Sequence, residues 1–335
     1  MFHKILVEKR VQDHPRTLAI LSKLKHSEVI SIDRIGDWFG NVHKPYLTKR
    51  DKLNLFIGNK DGALLKPAPP AYGEASGPHY YFVHQYNCLY ECQYCYLQGY
   101  FSSPDIVFFI NHEDICQEIQ RLCTTTHESE KRVWFHGGEF SDCLALTGIT
   151  GEWPIYFDTF REIPNAYLEL RTKSVNVRPL LELQPCERII TTFSLASSEQ
   201  ADSYDKGTPP VAARIRAAGK LAKAGHPIGI HLDPIMASPN LKDEYASMLD
   251  QLVTQVPVES INYISLGVVR FTADVFQCLR RHYPDSPLTY QEFGKSFDGK
   301  VRYERPLRRR ILQQIESLCM ERGIAKEKIY WCMEA

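Results

Sequence analysis

The sequence predicts an α/β protein built around a partial (β/α)6 TIM-like barrel, with a small N-terminal segment and a C-terminal hairpin plus helix extension. Two observations predict this architecture. From about residue 80, six short runs of apolar or β-branched residues alternate with longer helical stretches, as in βα units. Six right-handed βα units make up most of a barrel, in which the carboxyl ends of the strands share one rim.

Each predicted strand is a short hydrophobic run bounded by turn residues or by a helical pattern. The runs begin at Tyr80 (YYFVHQY), Arg132 (RVWFHG), Ala166 (AYLELRT), Arg188 (RIITTFSL), Pro227 (PIGIHLDP) and Ile261 (INYISLG). The clearest predicted helix covers residues 211–224, because two prolines stand at its start and Gly225 follows its end.

Three regions divide the chain. Residues 1–75 form an N-terminal region that is partly helical, near residues 14–25, and that ends in a linker-like segment, KPAPPAYGEASG. Residues 76–270 hold the barrel. Residues 271–335 contain a helix, a hairpin around Asp298-Gly299, an amphipathic helix over residues 306–322 and a last strand, KIYWCM.

Composition excludes several classes of protein. The 40 basic and 40 acidic residues balance, so no overall field draws the chain to nucleic acid or to a membrane, and any polyanion site must be local. The N-terminus lacks the apolar run of a secretory signal, and no 18 apolar residues occur together. We therefore expect a cytoplasmic protein without a membrane partner. Seven of the ten cysteines are scattered and are expected to pack as small hydrophobic side chains.

The strongest chemical signal is the spacing CxxxCxxC, formed by Cys88, Cys92 and Cys95 directly after the first predicted barrel strand. Three thiolates on one compact loop can bind three irons of a 4Fe-4S cluster. The fourth iron then has no protein ligand, and S-adenosylmethionine can chelate it to start radical chemistry. Such a cluster needs an external electron donor. The alternative is a zinc site that His84 would complete, although zinc sites more often use two pairs of ligands.

A second signal lies at the end of the second predicted strand, in the sequence Phe135-His136-Gly137-Gly138-Glu139. Paired glycines let a backbone approach a ligand closely, although a simple turn is the alternative. Polar residues also stand at the ends of the later strands, namely Arg171, Thr172, Lys173, Ser194, Asp233 and Arg270. Active sites of such barrels gather at this rim, so Gly137, Gly138 and Asp233 are candidate contacts of a bound cofactor.

These residues together resemble the spore photoproduct lyase family of radical S-adenosylmethionine enzymes. The resemblance rests on the cysteine loop followed by YLQ, on RTKS at 171–174, on FSL at 193–195 and on AAGKLAKAGHPIG. It runs from about residue 78 to residue 322. It implies a partial barrel and a reaction that reverses a methylene-bridged thymine dimer in DNA.

The resemblance also implies roles for single residues. The three cysteines would hold the cluster, Lys173 and Ser194 would contact bound S-adenosylmethionine, and Glu139 would hold its amino group. The 5'-deoxyadenosyl radical would abstract hydrogen from C6 of the lesion, so that the bridging bond breaks. Tyr94 and Tyr96 match family tyrosines implicated in returning the hydrogen atom, with ordinary aromatic packing as the alternative.

One position departs from the family pattern. The family places a cysteine hydrogen-atom donor two residues before a Ser-Asp pair, whereas this chain has Glu139 before Ser141-Asp142. Cys143 follows directly and is the candidate replacement. Glu139 at this position favours an alternative, in which a radical enzyme of the same fold acts on another nucleotide or on a protein side chain.

A basic run near the C-terminus predicts contact with DNA. Residues 300–310 contain six basic side chains and one tyrosine, a composition that can bind phosphates and stack a base. The candidate contacts are Lys300, Arg302, Tyr303 and Arg305. A solvated helix face is the simpler alternative. A metal-stabilised DNA-binding protein without catalysis is a further hypothesis, although it leaves the strand-end residues unexplained.

Overall fold

The computed structural model describes residues 2–40, 52–69 and 77–334. Most of the predicted linker, residues 70–76, lies outside the described residues. The strands are β1 (Lys4–Glu8), β2 (Glu28–Ile32), β3 (Leu55–Gly58), β4 (Leu65–Pro67), β5 (His79–Phe82), β6 (Gln85–Tyr86), β7 (Glu91–Cys92), β8 (Ile106–Phe109), β9 (Val133–Gly137), β10 (Ala166–Thr172), β11 (Ile189–Ser194), β12 (Asp205–Lys206), β13 (Ile228–Ile235), β14 (Ile261–Val268), β15 (Arg270–Phe271), β16 (Gly294–Lys295), β17 (Val301–Arg302) and β18 (Ile329–Trp331).

The α-helices separate most of these strands. They are α1 (Pro15–Lys23), α2 (Leu97–Tyr100), α3 (His112–Arg121), α4 (Thr147–Thr150), α5 (Trp153–Glu162), α6 (Arg178–Leu181), α7 (Ser198–Tyr204), α8 (Val211–Lys223), α9 (Leu241–Gln255), α10 (Ala273–His282) and α11 (Arg305–Met320). The helix predicted at 211–224 is α8, and the one predicted at 306–322 is α11. Among the described residues, no helix is both long and apolar enough to cross a lipid bilayer.

The largest sheet has eight strands in the order β18-β14-β13-β11-β10-β9-β5-β4. All pair in parallel except β4, which runs antiparallel to β5. The six strands predicted from the sequence are confirmed, and β18 adds a seventh parallel strand beside β14. Because β4 and β18 are not paired with each other, the barrel is partial.

The sheet curls into a barrel, as a contact between distant strands shows. The Tyr263 hydroxyl on β14 donates to Glu169 Oε1 on β10 at 2.6 Å, although β13 and β11 lie between these strands. In a flat sheet the two strands would be about 14 Å apart. The side chains therefore meet across the barrel interior.

The helices cover the outside of the barrel because they bury a continuous apolar face. On α5, Trp153, Tyr156, Phe157 and Phe160 recur at helical spacing and are all fully buried. On β10 the alternation of Ala166, Leu168 and Leu170 turns apolar side chains toward the same core. The intervening residues of β10 are polar and project toward the interior.

A second sheet, of order β2-β1-β3-β8-β6, lies on the N-terminal side. Its strands β6 and β8 come from residues 85–109, so the predicted boundary near residue 75 does not separate the two sheets. The region predicted as partly helical contains one α-helix, α1, among its described residues, together with four strands. The runs KILVE and LFIG form strands because the sheet buries them, whereas β2 lies at the sheet edge and is largely exposed.

The C-terminal extension consists of α10, a three-stranded sheet and α11. The predicted hairpin is present, with β16 and β17 paired antiparallel through Lys295 and Val301 around Gly299. Gly299 adopts a φ of 78°, a left-handed conformation that favours glycine at a turn.

Candidate active site

The cysteine loop is an excursion between two strands of the N-terminal sheet. It leaves β6 and returns to β8, and these two strands pair antiparallel. Asn87 starts the loop in the left-handed region, with a φ of 64°, a conformation that Asn tolerates. Its side-chain amide donates to the carbonyls of Ser103 and Asp105 at 2.8 and 2.7 Å, which closes the base of the loop.

Three free, partly exposed thiols lie within this loop. Cys92 belongs to β7, which pairs with β12 so that Cys92 stands opposite Asp205. The Cys95 amide donates to the Cys92 carbonyl at 3.0 Å, and the Tyr90 amide donates to Cys88 Sγ at 3.4 Å. Three accessible thiols on a loop that the fold holds at both ends fit the ligand set of an iron-sulfur cubane.

His84, the fourth ligand of the zinc alternative, belongs to a different part of the core. It is fully buried, and its ring contacts Phe82, Phe108 and Trp153. In the part of the chain that the structure describes, no three His, Cys, Asp or Glu side chains converge as the ligands of a single ion would. This finding covers the three thiols as well, and what sets His84 apart is its packing among aromatic rings in the core.

A buried charge network lies directly behind the cysteine loop. The Tyr94 hydroxyl donates a hydrogen bond to the Asp205 carboxylate, whose other oxygen accepts from Arg214 Nη1 at 2.8 Å. Lys173 Nζ lies 5.4 Å from the centroid of the Tyr94 ring. Burial alone would lower the pKa of Lys173, but the charges of Asp205 and Cys92 outweigh it and raise that pKa. Lys173 is thus a cation beside the loop.

A polar network also fills the barrel interior beneath the rim. Glu169 accepts from Tyr263 at 2.6 Å and from Arg171 Nη2 at 3.0 Å, and it contacts His136 Nδ1 at 2.5 Å. The far nitrogen of His136 lies 2.9 Å from His79. Burial would raise the pKa of Glu169, but Arg171 and His136 lower it well below its usual value. Apart from Arg171, sequence reasoning missed this network, although polar residues alternate along β10.

Asp233 and Arg270, both predicted from strand ends, form an ion pair at the rim. Arg270 donates to the two Asp233 oxygens at 2.7 and 3.1 Å, and His231 Nε2 lies 3.7 Å away. Burial would raise the pKa of Asp233, but the Arg270 charge outweighs it and lowers that pKa. A Cβ at Gly267 would lie 2.3 Å from this carboxylate, so glycine is required there. Ser194 is buried nearby, and its carbonyl accepts from Arg214.

The end of β9 and the start of α2 meet at the same rim. The Tyr96 hydroxyl donates to the backbone carbonyl of Glu139, and the Tyr96 side chain is 40% exposed. The rings of Tyr100 and Phe140 lie 4.7 Å apart beside it. The structure therefore brings the cysteine loop and the second predicted motif together, with an exposed tyrosine hydroxyl between them.

A family model described as spore photoproduct lyase matches residues 73–323. The chain belongs to the spore photoproduct lyase family. It is 25% identical over 239 residues to spore photoproduct lyase of Bacillus subtilis, covering 69% of each chain. It is 21% identical over 319 residues to that of Clostridium acetobutylicum, covering 91% of each chain.

Solved structures of spore photoproduct lyase share the fold of this family member. A variant with bound AdoMet and dinucleoside spore photoproduct superposes with a TM-score of 0.83 at 18% identity, over 99% of this chain and 98% of that one. A spore photoproduct lyase complexed with dinucleoside spore photoproduct gives the same TM-score, identity and coverage. The predicted family and the predicted α/β partial barrel are confirmed.

In this spore photoproduct lyase family member, Cys143 cannot replace the missing donor cysteine as predicted. It is 1% exposed, and its thiol donates to the Gly137 carbonyl at 3.0 Å. The Trp153 indole donates to the Cys143 carbonyl at 3.0 Å. The residue before Cys143 explains this burial. The Asp142 carboxylate accepts a hydrogen bond from the Lys173 amide at 2.6 Å, which holds the segment around residue 142 against the end of β10. A side chain packed in the core does not reach a substrate at the rim.

The packing of neighbouring side chains also requires the two glycines at the end of β9, in addition to the predicted contact with a ligand. Gly138 has a φ of 77°, and a Cβ there would lie 2.6 Å from Cys143 Sγ. A Cβ on Gly137 would lie 3.2 Å from Trp153. The glycine pair therefore lets Cys143 and Trp153 pack beneath the rim, and its contact with a cofactor stays a prediction.

Two of the four predicted DNA contacts are wrong, because the side chains are buried. Arg302 is 1% exposed and donates to Ser296 Oγ at 3.0 Å, while it forms an ion pair with Asp298. Tyr303 is 3% exposed, and its hydroxyl accepts from the Ala237 amide at 3.1 Å. Arg302 stabilises the hairpin from within, and Tyr303 joins it to Ala237, which follows β13. Lys300, which is partly exposed, and the exposed Arg305 stay candidates.

Proposed function

We propose that the protein is a radical S-adenosylmethionine lyase that cleaves a methylene-bridged thymine dimer in DNA. The single observation that carries this proposal is the cysteine loop, which holds three free thiols beside the strand-end rim in a fold shared with lyases solved with AdoMet and dinucleoside spore photoproduct. Membership of the spore photoproduct lyase family supports the same conclusion.

Cys88, Cys92 and Cys95 are the residues that would hold the 4Fe-4S cluster. Reductive cleavage of S-adenosylmethionine at such a cluster supplies the radical that abstracts hydrogen from the lesion. Lys173 contributes positive charge beside the loop, and the Asp142 carboxylate fixes its position by accepting from its amide. Ser194, Asp233, Glu139 and the Gly137-Gly138 pair are proposed to bind the cofactor at the rim.

Tyr96 is the residue best placed to return a hydrogen atom to the product. Its hydroxyl is at the rim on the Glu139 carbonyl, at the position where the family pattern has a cysteine. Cys143 is buried and takes no part. Donation from Tyr96 leaves a phenoxyl radical, which is reduced in turn by the hydrogen atom that the first abstraction placed on the cleaved cofactor. Tyr94, which lies between Cys92 and Cys95 and is held by Asp205, is proposed to assist this return.

The DNA partner is proposed to contact the hairpin and the start of α11. Phe297 at the hairpin tip is 91% exposed. Arg305, Arg309 and Arg310 line an open groove of about 610 Å³ at the start of α11, and all three are exposed. Exposed arginines bind backbone phosphates, and an exposed aromatic ring can stack on a base. A lesion that reaches the barrel must leave the duplex stack, and Phe297 can fill the space that it leaves.

We also place the protein in the cytoplasm, with an external electron donor. None of the ten cysteines, all of which the structure describes, forms a disulfide bond, which agrees with a reducing compartment. DNA and soluble electron carriers are both available there.

The experiment is anaerobic reconstitution followed by incubation with a spore-photoproduct dinucleotide, S-adenosylmethionine and dithionite. We expect about four irons per chain, cleavage of the cofactor and release of thymine. Cys92→Ala is the negative control and Cys278→Ala, which changes a cysteine on α10, is the matched control.

A second function stays open because of one observation, the combination of Glu139 at the donor position with a buried Cys143. A reconstituted enzyme that cleaves S-adenosylmethionine but releases no thymine would favour an enzyme of the same fold with another nucleotide or a protein substrate. A preparation that never acquires iron would contradict both functions.

A further inference from the structure

Residues 332–334 form a short C-terminal tail at the strand-end rim. The Cys332 amide donates to the Leu266 carbonyl at 2.7 Å, so the tail leaves β18 beside the carboxyl end of β14. Met333 then adopts a φ of 55°, in the left-handed region that is unfavourable for a residue with a Cβ atom. A backbone in this region persists where surrounding contacts hold it.

Three basic side chains of the C-terminal extension supply such contacts. Arg308 Nε donates to the Glu334 carboxylate at 2.8 Å, and both side chains of this ion pair are buried. Arg302 Nη1 donates to the Met333 carbonyl at 3.4 Å, and Lys300 Nζ lies 4.0 Å from the Met333 sulfur. The tail is therefore fixed to the hairpin and to the start of α11.

The tail in turn contacts the ion pair of Asp233 and Arg270 at the rim. Arg270 Nε donates to the Met333 sulfur at 3.3 Å. The two terminal nitrogens of the same guanidinium donate to Asp233, and Nη1 also donates to the Val268 carbonyl at 3.2 Å. The donors of a guanidinium have a fixed planar arrangement. An acceptor at Nε therefore helps to set the orientation in which Arg270 meets the carboxylate.

The hairpin holds the backbone of Arg270 as well. Strand β15 pairs antiparallel with β17, so that Arg270 stands opposite Arg302. Arg302 also donates to the Met333 carbonyl. The hairpin and the tail thus hold the main chain and the side chain of Arg270, respectively.

The charge of Arg270 makes its acceptors important. Burial would lower the pKa of Arg270, but the charge of Asp233 outweighs it and raises that pKa, and Glu334 acts in the same direction. Arg270 is thus a cation in a buried setting. A buried donor that loses its acceptor costs free energy, more so on a charged group. The Met333 sulfur supplies the acceptor for the Nε hydrogen, which an aliphatic side chain would not.

We propose that Met333 is a positioning residue of the cofactor site. Its sulfur holds the Arg270 guanidinium, which in turn orients the Asp233 carboxylate for binding of S-adenosylmethionine. The inference rests on the proposed function, in which Asp233 binds this cofactor. The end of the chain thereby completes a rim that the barrel strands begin, although Met333 lies 63 residues after Arg270.

The test is isothermal titration calorimetry of S-adenosylmethionine with the anaerobically reconstituted enzyme, without a reductant, so that the cofactor binds but is not cleaved. Met333→Leu keeps the size of the side chain and removes the acceptor. We expect its Kd to rise by about 2-fold to 12-fold, the range of a single hydrogen bond. Met333→Gln, whose amide oxygen can accept from Nε, should restore the wild-type Kd. Because Met, Leu and Gln all have a Cβ atom, backbone strain at this turn is the same in the three proteins.

A double-mutant cycle separates positioning from an independent structural role. Asp233→Asn should weaken binding by itself, and adding Met333→Leu to it should cause no further loss, because Met333 acts through Asp233. Met320→Leu, which makes the same change at an exposed methionine on α11, is the matched control and should keep the wild-type Kd.

Three results would overturn the proposal. They are a normal Kd for Met333→Leu, a Met333→Gln protein that binds as weakly as Met333→Leu, and losses that add in the double variant. A wild-type protein that holds no cluster or binds no S-adenosylmethionine would instead refute the proposed function, and this outcome is visible before any variant is made.

Discussion

Tyr94 donates its phenolic hydrogen to Asp205, and Asp205 stands opposite Cys92 in a two-stranded ladder. Asp205 therefore holds a tyrosine and an arginine through its carboxylate, and through its strand it pairs with Cys92, a proposed cluster ligand. Arg214 is fully buried, and Asp205 is its acidic partner. The negative charge at this position offsets the buried cation Arg214 and the half-buried cation Lys173.

Asp205→Asn should lower the free energy of unfolding by about 3 to 5 kcal/mol, because it leaves a buried guanidinium without its counter-charge. Urea denaturation measures this change. Asp158→Asn is the control, since Asp158 pairs with Arg161 at the surface and is 73% exposed, and it should cost less than about 1 kcal/mol. If the two variants lost the same free energy of unfolding, the buried ion pair would contribute no more to stability than the surface pair.

Tyr96→Phe should abolish formation of the fully repaired pair of thymines, because the hydrogen atom is returned after the bridging bond breaks, while iron content and cleavage of S-adenosylmethionine persist. The variant keeps the ring but removes the hydroxyl hydrogen that the proposed mechanism returns to the product. Thymine and 5'-deoxyadenosine are quantified in the same reaction. Tyr100→Phe, a change at a neighbouring exposed tyrosine, should behave as wild type. Normal repair by Tyr96→Phe would mean that another group donates the hydrogen atom.

Cys143→Ala should affect stability and leave repair intact. Removing the buried sulfur deletes its hydrogen bond to the Gly137 carbonyl and opens a small cavity, which we expect to cost about 1 to 2 kcal/mol. Repair per bound cluster, measured by thymine release, should match wild type. A selective loss of repair in this variant would restore Cys143 as the donor.

Phe297→Ala should separate duplex from dinucleotide repair. Stacking of an aromatic ring on a base is worth about 1 to 3 kcal/mol, so affinity for a lesion-containing duplex should fall by about 5-fold to 150-fold. Turnover of the dinucleotide, which has no stack to open, should not change. Tyr290→Ala removes another exposed ring away from the hairpin tip and serves as control. Equal loss on both substrates would contradict a role in opening the duplex.

Glu152 should give the protein a stability that depends on pH. Burial raises its pKa to about 7 from an ordinary value of 4.5. Between these values the folded chain holds a proton that the unfolded chain releases, so stability from this group falls as pH rises from about 4.5 to about 7. Relative to Glu152→Gln, wild type should lose on the order of 3 kcal/mol across this window. Urea midpoints of both proteins across that range test it, and parallel curves would exclude the effect. Nearby His84, whose pKa burial lowers to about 3, changes stability in the opposite direction and is common to both proteins.

The barrel could be predicted because its strands are short hydrophobic runs with clear boundaries. On β13, the apolar Ile228, Ile230 and Leu232 occupy alternate positions, which is the period-two pattern of a strand. The cysteine loop could be predicted because its ligands are close in sequence. Both signals are local, and local signals survive in a single sequence.

The burial of Arg302 could not be predicted from the sequence in the same way. Arg302 lies in a run with six basic residues between 300 and 310, which is typical of an exposed face. Its guanidinium donates to Ser296 and pairs with Asp298 within the same hairpin, but it also reaches the Met333 carbonyl, which comes from a segment 31 residues later. The interior network of Glu169 was missed for the same reason, because Tyr263 reaches it from a strand 94 residues later in the chain.

Because β6 precedes the cysteine loop and β8 follows it, the N-terminal sheet holds both ends of the segment that carries all three thiols. Strand β8 is anchored in turn by β3, which comes from the first 60 residues. Removing those residues to obtain a minimal barrel would remove the strand that pairs with β8, and the cysteine loop would become more mobile. We expect such a shortened protein to retain less iron after reconstitution. The N-terminal sheet is therefore needed for binding of the proposed cluster, although it lies outside the barrel.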